Sequence, residues 1–522
     1  MGSAEPKPWA ELLAAGYGAA QRADWSWAEN WADLILAGHG NDGHAVLDGG
    51  TLHSQMGNLE KAEAAFHWAH QLMPEDSRPL VNLAHCWLGS LRHHEALALY
   101  GQITARWPQE NRHWHNQLMA LAYGPDSTAA EGKTLARQWA GQLPPAELEP
   151  SDWGQLEPLQ GRKRRVGFLS ADLCQHTVGL LLLPVVEAHD RSEFELFFYS
   201  ASPQTDWVSE ALQGCGSWRA IGADNDASVA RQIRADRIDV LIELGGHTAG
   251  TRLAVLHQQA APVQWSWLGY WGTTGLKANN GVILDPHAAP MGSEVAQSFC
   301  EPILRITPNR WCYKPVPWMP EPRDPPAVNN GFITFGCFNN TAKINQRVIE
   351  TWAQILTQVP DSRLVLKWKT LRDQTLRRRL HQAFEQAGVE SGRIELRGPS
   401  FHAQLLEEYG DVDIALDPFP FGGGLTSLES LWLGLPLVTL RCPNSGACAA
   451  GLQGTALLQT ISRSEWIAEN EQHYEDIAVG LAQEPALLRE QRSTLQQCIK
   501  DSGLGDGAKA WESLEGLIRG LD

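Results

Sequence analysis

The sequence predicts an α-helical repeat region followed by two α/β domains, each built on a parallel sheet covered by helices. Three observations support this fold class. Small and aromatic residues recur at intervals of 34 positions in the first quarter of the chain. After residue 163, short apolar runs typical of buried strands alternate with helical patterns, as they do in parallel sheets. A proline-rich segment, 315–330, separates these runs into two sets.

The repeat pattern places Ala28, Ala62 and Ala96 at intervals of 34 residues. An aromatic residue stands four positions after the second and third of them, at Phe66 and Tyr100. Small residues where paired helices touch, each followed by an aromatic residue one turn later, are typical of tetratricopeptide repeats. We therefore expect residues 1–124 to form such repeats, which stack into a curved surface that usually binds peptides. A plain helical bundle is the alternative.

A linker helix is expected over 125–162, where proline and glutamate are frequent. The first α/β domain then covers 163–314 and the second covers 331–522. The apolar runs that predict strands are 165–170, 194–200, 239–244, 332–335, 363–367, 394–397, 414–416 and 437–440. Because ligands bind at the carboxyl ends of the strands in such sheets, we expect the site in a cleft between the two domains.

Composition limits the classes of partner. The formal net charge of −18 argues against nucleic acid or an anionic membrane as the main partner. The longest apolar run, 178–188, is too short to span a bilayer. Residues 1–5 lack the start of a signal peptide, so a cytoplasmic protein is expected. The nine cysteines form no CxxC pair, so we expect reduced thiols and no zinc site.

Two strand ends in the second domain predict a phosphate site. The first leads into Asn339 and Asn340, with Lys343 expected in the first turn of the next helix. The second leads from Asp417 into a glycine-rich turn and another helix. The candidate binding residues of the two turns are Asn339, Asn340, Lys343, Asp417, Gly422, Gly423, Gly424, Leu425, Thr426, Ser427 and Glu429. Helix N-termini carry unsatisfied N–H groups and the positive end of the helix dipole, so both turns suit a phosphate. Together they predict the two sides of a nucleotide-diphosphate pocket.

Longer motifs resemble a known family. The turn 170–176 reads SADLCQH, residues 246–248 read GHT, and residues 261–270 read APVQWSWLGY. With the two turns above, this ordered series resembles the catalytic region of the O-GlcNAc transferase and SPINDLY family of protein glycosyltransferases, whose usual companion is a tetratricopeptide region. The resemblance implies a GT-B fold of two Rossmann-like domains, a nucleoside-diphosphate sugar as donor, and inversion at the sugar carbon without a metal or other cofactor.

The resemblance also assigns candidate roles. Lys343 would neutralise the diphosphate leaving group. His176 stands where the family has a cleft histidine, and would either accept a proton or hold the acceptor or sugar in place. His247 would line the cleft or belong to a turn that caps the next helix through Thr248. Tyr270, between two glycine-containing turns, is a candidate for contact with the donor.

The function implied is transfer of a sugar from a UDP-GlcNAc-like or GDP-sugar donor to serine or threonine hydroxyls of a protein bound along the repeats. One alternative is an enzyme of the same fold that modifies asparagine or a small molecule. Another is a repeat scaffold with a decayed transferase domain, because the chain departs from the family pattern at Leu405 and over 442–449. Trp271 is a further departure from that pattern. Self-association through the repeats is a further expectation.

Overall fold

The computed structural model of the protein describes residues 9–22, 24–148 and 161–521. Residues 1–8, which contain the start that carries no signal-peptide pattern, lie outside the described residues. Residues 149–160 of the predicted linker helix also lie outside them.

In the described residues, eight helices precede the first strand. They are α1 (Ala10–Gln21), α2 (Trp25–Gly38), α3 (Gly43–Gln55), α4 (Leu59–Leu72), α5 (Arg78–Gly89), α6 (His93–Arg106), α7 (Asn111–Tyr123) and α8 (Ala129–Gln142). The three alanines of the 34-residue register fall on α2, α4 and α6 and are completely buried. Between α3 and α4 the approach is so close that a Cβ atom on Gly50 would lie 2.8 Å from the Cβ of Ala65. Small residues therefore mark the helix contacts, as the repeat pattern predicts.

The first sheet is parallel, with strand order β3-β2-β1-β4-β5-β6-β7. Its strands are β1 (Arg164–Ser170), β2 (Phe194–Ser200), β3 (Ser217–Ala220), β4 (Val240–Glu243), β5 (Val263–Ser266), β6 (Gly281–Leu284) and β7 (Ile303–Arg305). The helices that accompany it are α9 (Thr177–Glu187), α10 (Trp207–Gln213), α11 (Asp226–Ala235), α12 (Leu253–His257) and α13 (Glu294–Gln297). The central strand β1 is almost entirely buried, which explains its continuous apolar sequence.

The second sheet is also parallel, with strand order β10-β9-β8-β11-β12-β13. Its strands are β8 (Thr334–Cys337), β9 (Arg363–Lys367), β10 (Ile394–Arg397), β11 (Ile414–Leu416), β12 (Leu437–Leu440) and β13 (Ile467–Ala468). The helices from the connecting segment onwards are α14 (Ala327–Asn330), α15 (Gln346–Gln358), α16 (Gln374–Gln386), α17 (His402–Glu408), α18 (Leu425–Trp432), α19 (Gln453–Thr460), α20 (Glu471–Ala482), α21 (Pro485–Ser502) and α22 (Gly507–Arg519).

The final helix crosses back to the first sheet. The indole of Trp511 on α22 packs against Phe194 of β2, with the ring centroids 5.1 Å apart, and against His189. A helical repeat region followed by two Rossmann-like sheets is the predicted fold class, and it is confirmed. None of the helices in the described residues combines the length and the apolar character needed to cross a membrane.

Candidate functional site

A cavity of about 410 Å³ lies between the carboxyl ends of the two sheets. The turn after β1 contributes His176 to its wall, and the turn after β8 contributes Lys343. The glycine-rich turn after β11 contributes Gly424, and helix α7 of the repeat region contributes Tyr123. All three parts of the fold therefore meet at one cavity, in the place where parallel sheets bind ligands.

Lys343 is held by neutral oxygen atoms. Its Nζ donates to the side-chain oxygen of Asn339 at 3.2 Å and to the carbonyl of Gly422 at 2.7 Å. The ammonium also lies 4.3 Å from the centre of the Phe421 ring. Burial lowers the pKa of Lys343 to about 8, and the negative charge of Asp417 opposes that shift. The two hydrogen bonds leave the positive charge of the ammonium uncompensated by a directly bonded carboxylate.

The local structure around Lys343 differs from the prediction. We expected Lys343 in the first turn of a helix, but it ends a separate 3-10 turn over Thr341–Lys343, and α15 begins at Gln346. Asn340 caps the 3-10 turn by accepting from the N–H of Ala342 at 3.1 Å. Asn345 then caps α15. Lys343 is therefore positioned by the Asn340 turn and not by the α15 N-terminus.

The glycine-rich turn is organised by Asp417. This carboxylate accepts from the N–H of Gly423 at 2.5 Å and from the hydroxyl of Thr439 at 2.8 Å. Burial raises the pKa of Asp417 to about 6, and the bond from Gly423 and the charge of Lys343 oppose that shift. Asp417 is fully buried and acts on the turn, so it supports the site from behind.

Helix α18 begins at Leu425, as predicted, directly after the three glycines. Gly424, Leu425 and Thr426 line the cavity, and the Thr426 hydroxyl donates to Asn339 at 3.1 Å. The first turn of α18 therefore faces the same space as the Lys343 ammonium. This arrangement offers backbone N–H groups and a cation to one anionic group.

Two predicted binding residues of α18 face away from the cavity. The Ser427 hydroxyl donates to Asp417 at 3.4 Å. Glu429 is 3% exposed and accepts from Nε2 of His402 at 2.8 Å. Trp318, from the proline-rich connector, donates to the other ring nitrogen of His402 at 3.3 Å. Ser427 and Glu429 therefore hydrogen-bond to neighbouring elements and hold α18 in place. Only the first residues of α18 face the cavity.

His176 lines the opposite wall of the cavity with Asp172. Its Nδ1 accepts from the N–H of Val178 at 3.3 Å and lies 3.7 Å from Asp172 Oδ1. A neutral ring with Nδ1 as acceptor carries its proton on Nε2, which suits donation to a ligand. Burial raises the pKa of Asp172, and the neighbouring His176 opposes that shift.

His247 and Tyr270 lie beneath the cavity and do not line it. His247 is completely buried, and its Nε2 donates to the Thr274 carbonyl at 3.1 Å. Its Nδ1 lies 2.7 Å from Nδ1 of His115, so His115 donates and His247 accepts. Burial, reinforced by His115, holds the pKa of His247 well below its usual range. The Tyr270 ring packs on His247 with centroids 5.3 Å apart.

The separation of His247 from the cavity has a clear cause. Helix α7 carries His115 onto this turn and covers it, a long-range contact that the local sequence does not reveal. The next residue, Thr248, does line the cavity. His247 is therefore placed to position that turn, and direct contact with a substrate is not available to it in this structure.

One wall of the cavity is aromatic, and its residues were not predicted as part of the site. Phe421 packs against Trp271 at 4.4 Å and against Tyr123 at 5.1 Å between ring centroids. Trp271 is one of the departures from the family pattern, and its position here makes it part of the cavity. Other cavity residues that the sequence analysis did not assign to the site are Met119, Arg310, Trp311, Trp368 and Gln453.

The divergent segment 442–449 is docked on the helical region. The N–H of Gly446 donates to the carbonyl of Ser127 at 2.6 Å. A Cβ atom on Gly446 would lie 2.4 Å from the carbonyl of Leu121, so only glycine fits this contact. The segment therefore joins the second domain to the repeats. In the part of the chain that the structure describes, no group of three or more His, Cys, Asp and Glu side chains is arranged to hold a metal ion.

Comparison with known proteins agrees with this architecture. The model of glycosyl transferase family 41 matches residues 148–309 and 322–513, which is more than half of the chain. The crystal structure of a mutant O-GlcNAc transferase from Thermobaculum terrenum is similar over 100% of this chain and 98% of that chain, with a TM-score of 0.86 and 30% sequence identity.

Plant proteins show the same relationship. The probable UDP-N-acetylglucosamine–peptide N-acetylglucosaminyltransferase SPINDLY of Petunia hybrida is 32% identical over 420 residues, covering 79% of this chain and 44% of the plant protein. The protein of that name from Arabidopsis thaliana is 32% identical over 420 residues, covering 79% of this chain and 45% of the relative. The chain thus spans less than half the length of these relatives. The predicted relationship to O-GlcNAc transferase and SPINDLY is confirmed, and the chain belongs to glycosyl transferase family 41.

Proposed function

We propose that the protein is an inverting glycosyltransferase that moves a sugar from a nucleoside-diphosphate sugar to a hydroxyl group of a protein. The observation that carries the proposal is the Lys343 ammonium, held by Asn339 and Gly422 beside the first turn of α18. A cation and a helix N-terminus on one wall of a cleft suit the diphosphate of such a donor. The names of the plant relatives favour UDP-GlcNAc, and a GDP-sugar is the second candidate.

The proposed reaction is a single displacement. The acceptor oxygen forms a bond to the anomeric carbon as the bond from that carbon to the β-phosphate oxygen breaks. The electron pair of the broken bond stays on the diphosphate, where Lys343 and the α18 N–H groups stabilise the added charge, so no metal is required for that role. The acceptor's proton passes to the carboxylate of Asp172 on the opposite wall, while the Nε2–H of the neighbouring His176 donates to the acceptor or the sugar and holds it in place.

The acceptor is proposed to be a protein segment with a serine or threonine. Met119 and Tyr123 of helix α7 line the cavity, so the last repeat helices lead directly to the reacting groups. Stacked helical repeats usually bind extended peptides, which gives a path for the acceptor chain. An asparagine side chain or a small molecule is the competing acceptor, and the atom that is modified in the product distinguishes these.

The first test is nucleotide binding. Wild-type protein and Lys343→Met are compared by thermal shift with UDP, GDP and dTDP at millimolar concentration. A ligand that binds only the folded protein raises Tm by mass action. We expect one of these nucleotides to raise the Tm of the wild type and to raise the Tm of Lys343→Met much less. We also expect the rate of sugar transfer by the variant to fall at least about 100-fold, because the charge that develops in the transition state loses its main cation.

The control is Lys133→Met. Lys133 is half-buried on α8, donates to the Gln297 carbonyl and does not line the cavity, so its loss should leave nucleotide binding unchanged. Silence of the wild type toward all three nucleotides would contradict the proposal and favour a repeat scaffold with a decayed transferase domain.

A further inference from the structure

Arg310 is a buried cation in the cavity wall, beyond the end of β7. It is 2% exposed, and the neighbouring Trp311 is 5% exposed. Burial lowers the pKa of Arg310 to about 10, and the charge of Asp285 opposes that shift, so the guanidinium is positive at neutral pH. A buried guanidinium is costly unless its N–H groups find partners, which makes its contacts informative.

The hydrogen bonds of Arg310 are incomplete. Its Nη2 donates to the side-chain oxygen of Gln453 at 3.3 Å, but Nη1 is buried without a hydrogen-bond partner among the described residues. The guanidinium lies 4.6 Å from the Trp311 ring centre, and Nε1 of Trp311 likewise has no partner in the described part of the chain. Two unsatisfied donors on adjacent cavity residues indicate an acceptor that comes from a ligand.

Arg310 is linked to Lys343 through two groups. Gln453 donates from Nε2 to the Gly422 carbonyl at 2.7 Å, and the same carbonyl accepts from Lys343 at 2.7 Å. The Trp311 ring approaches to 3.5 Å from the position that a Cβ atom on Gly424 would take. Both cations therefore adjoin the glycine-rich turn that starts α18.

The carboxylate of Asp285 is bonded to backbone N–H groups and not to the Arg310 guanidinium. Asp285 accepts from the backbone N–H groups of His287 at 2.9 Å and Ala288 at 2.7 Å through one oxygen. Its other oxygen accepts from the backbone N–H of Arg310 at 3.3 Å. Asp285 thus shapes the backbone at this point and leaves Nη1 of the guanidinium available to an anion.

We propose that Arg310 is a second donor-binding cation, which with the Trp311 indole N–H binds the anionic oxygens of the nucleoside diphosphate at the same glycine-rich turn as Lys343. This assignment rests on the proposed function. A guanidinium offers a planar fork of donors that matches two phosphate oxygens. Two cations and a helix N-terminus would then contact the diphosphate, and both cations would stabilise the charge of the leaving group.

The test is isothermal titration calorimetry on the full chain with UDP, UMP and uridine, and with GDP, GMP and guanosine in parallel. The comparison uses whichever series, uracil or guanine, the wild type binds. There Arg310→Met should weaken diphosphate binding by about 10- to 100-fold and nucleoside binding by less than about 3-fold. Arg310→Lys keeps the charge and should recover part of the loss. Trp311→Phe keeps the packing and should weaken diphosphate binding by about 3- to 10-fold.

The matched control is Arg305→Met. Arg305 lies on β7 and donates to the Ala289 carbonyl at 2.9 Å, so its loss should leave diphosphate affinity within about twofold of the wild type. Equal diphosphate affinity in the wild type and Arg310→Met would overturn the assignment, as would an equal loss for diphosphate and nucleoside. If Arg310→Met fails to fold, Trp311→Phe and Arg310→Lys decide by the same comparison. A wild type that binds no nucleotide of either series, and no dTDP, overturns the proposed function and this assignment with it.

Discussion

At the scale of single residues, Lys343 makes the proposed activity depend on pH. Burial lowers its pKa to about 8, so the side chain is a cation below that pH and becomes neutral above it. Donor binding and leaving-group stabilisation both need the cation. We therefore expect kcat/KM for the donor, which reports the free enzyme, to fall about tenfold per pH unit above pH 8. A bound diphosphate favours the protonated amine, so kcat should fall only at higher pH.

The matching variant is Lys343→Arg, whose guanidinium stays charged throughout this range. Its activity should be lower, since the longer group fits the Asn339 and Gly422 oxygens less well, but its profile should lack the limb near pH 8. A wild-type profile that stays flat to pH 10 would assign the leaving-group role to another residue.

Some residues of the site were predicted from the sequence and others were not. Lys343, Asn339 and Thr426 were predicted as one group, and the structure brings them together because two strand ends of one parallel sheet meet there. Arg310 was not found, because it follows a three-residue strand without any recognisable turn pattern. Its only sequence signal is an arginine beside a tryptophan, which gains meaning through burial.

At the scale of elements, the glycine-rich turn predicts a specific packing effect. A Cβ atom on Gly423 would lie 2.1 Å from the Ser427 hydroxyl and 2.9 Å from both Asp417 and Thr426. Gly423→Ala should therefore push the first turn of α18 away from the Asp417 carboxylate. We expect a stability loss of about 1–3 kcal/mol, as for other overpacked sites. Calorimetry with the nucleotide that binds the wild type should show at least tenfold weaker binding, about 1.4 kcal/mol or more.

Gly480→Ala provides the control. Gly480 is exposed on α20, and a Cβ atom there meets nothing within 4 Å. Alanine should stabilise that helix by about 0.5–1 kcal/mol without changing nucleotide affinity. Unaltered nucleotide affinity in Gly423→Ala would show that the turn does not carry the diphosphate.

Elements with strong local signals were predicted accurately. The strands 363–367 and 437–440 coincide with β9 and β12 because each has a run of buried residues in which leucine and valine predominate. The short strand β5 was missed, since its alternation of valine, glutamine, tryptophan and serine gives no continuous apolar run. The start of α15 was misplaced because Asn340 and Asn345 are both capping asparagines, and only the second one caps the long helix.

At the scale of the whole molecule, the repeats hold the Lys343 turn in place. Nε2 of His93 on α6 donates to the carbonyl of Ala342 at 2.7 Å, and the Thr341 hydroxyl donates to the carbonyl of Gly89 at 2.9 Å. Further along, Gly57 approaches the Lys369 carbonyl so closely that a Cβ atom would lie 2.4 Å from it. The helical region is therefore part of the structure that positions the proposed donor site, in addition to any acceptor it binds.

This arrangement predicts a long-range effect of His93→Ala. The substitution leaves the buried Ala342 carbonyl without its donor, which should cost about 1–3 kcal/mol of stability. Because Ala342 precedes Lys343, the turn should loosen, and nucleotide affinity should fall together with Tm.

His94→Ala is the matched control on the same helix: His94 is 74% exposed and lies 3.7 Å from Asp126, so its loss should change neither quantity. Both are measured by thermal unfolding with and without the bound nucleotide. If His93→Ala lowers Tm but leaves nucleotide affinity unchanged, the repeats stabilise the fold without shaping the site.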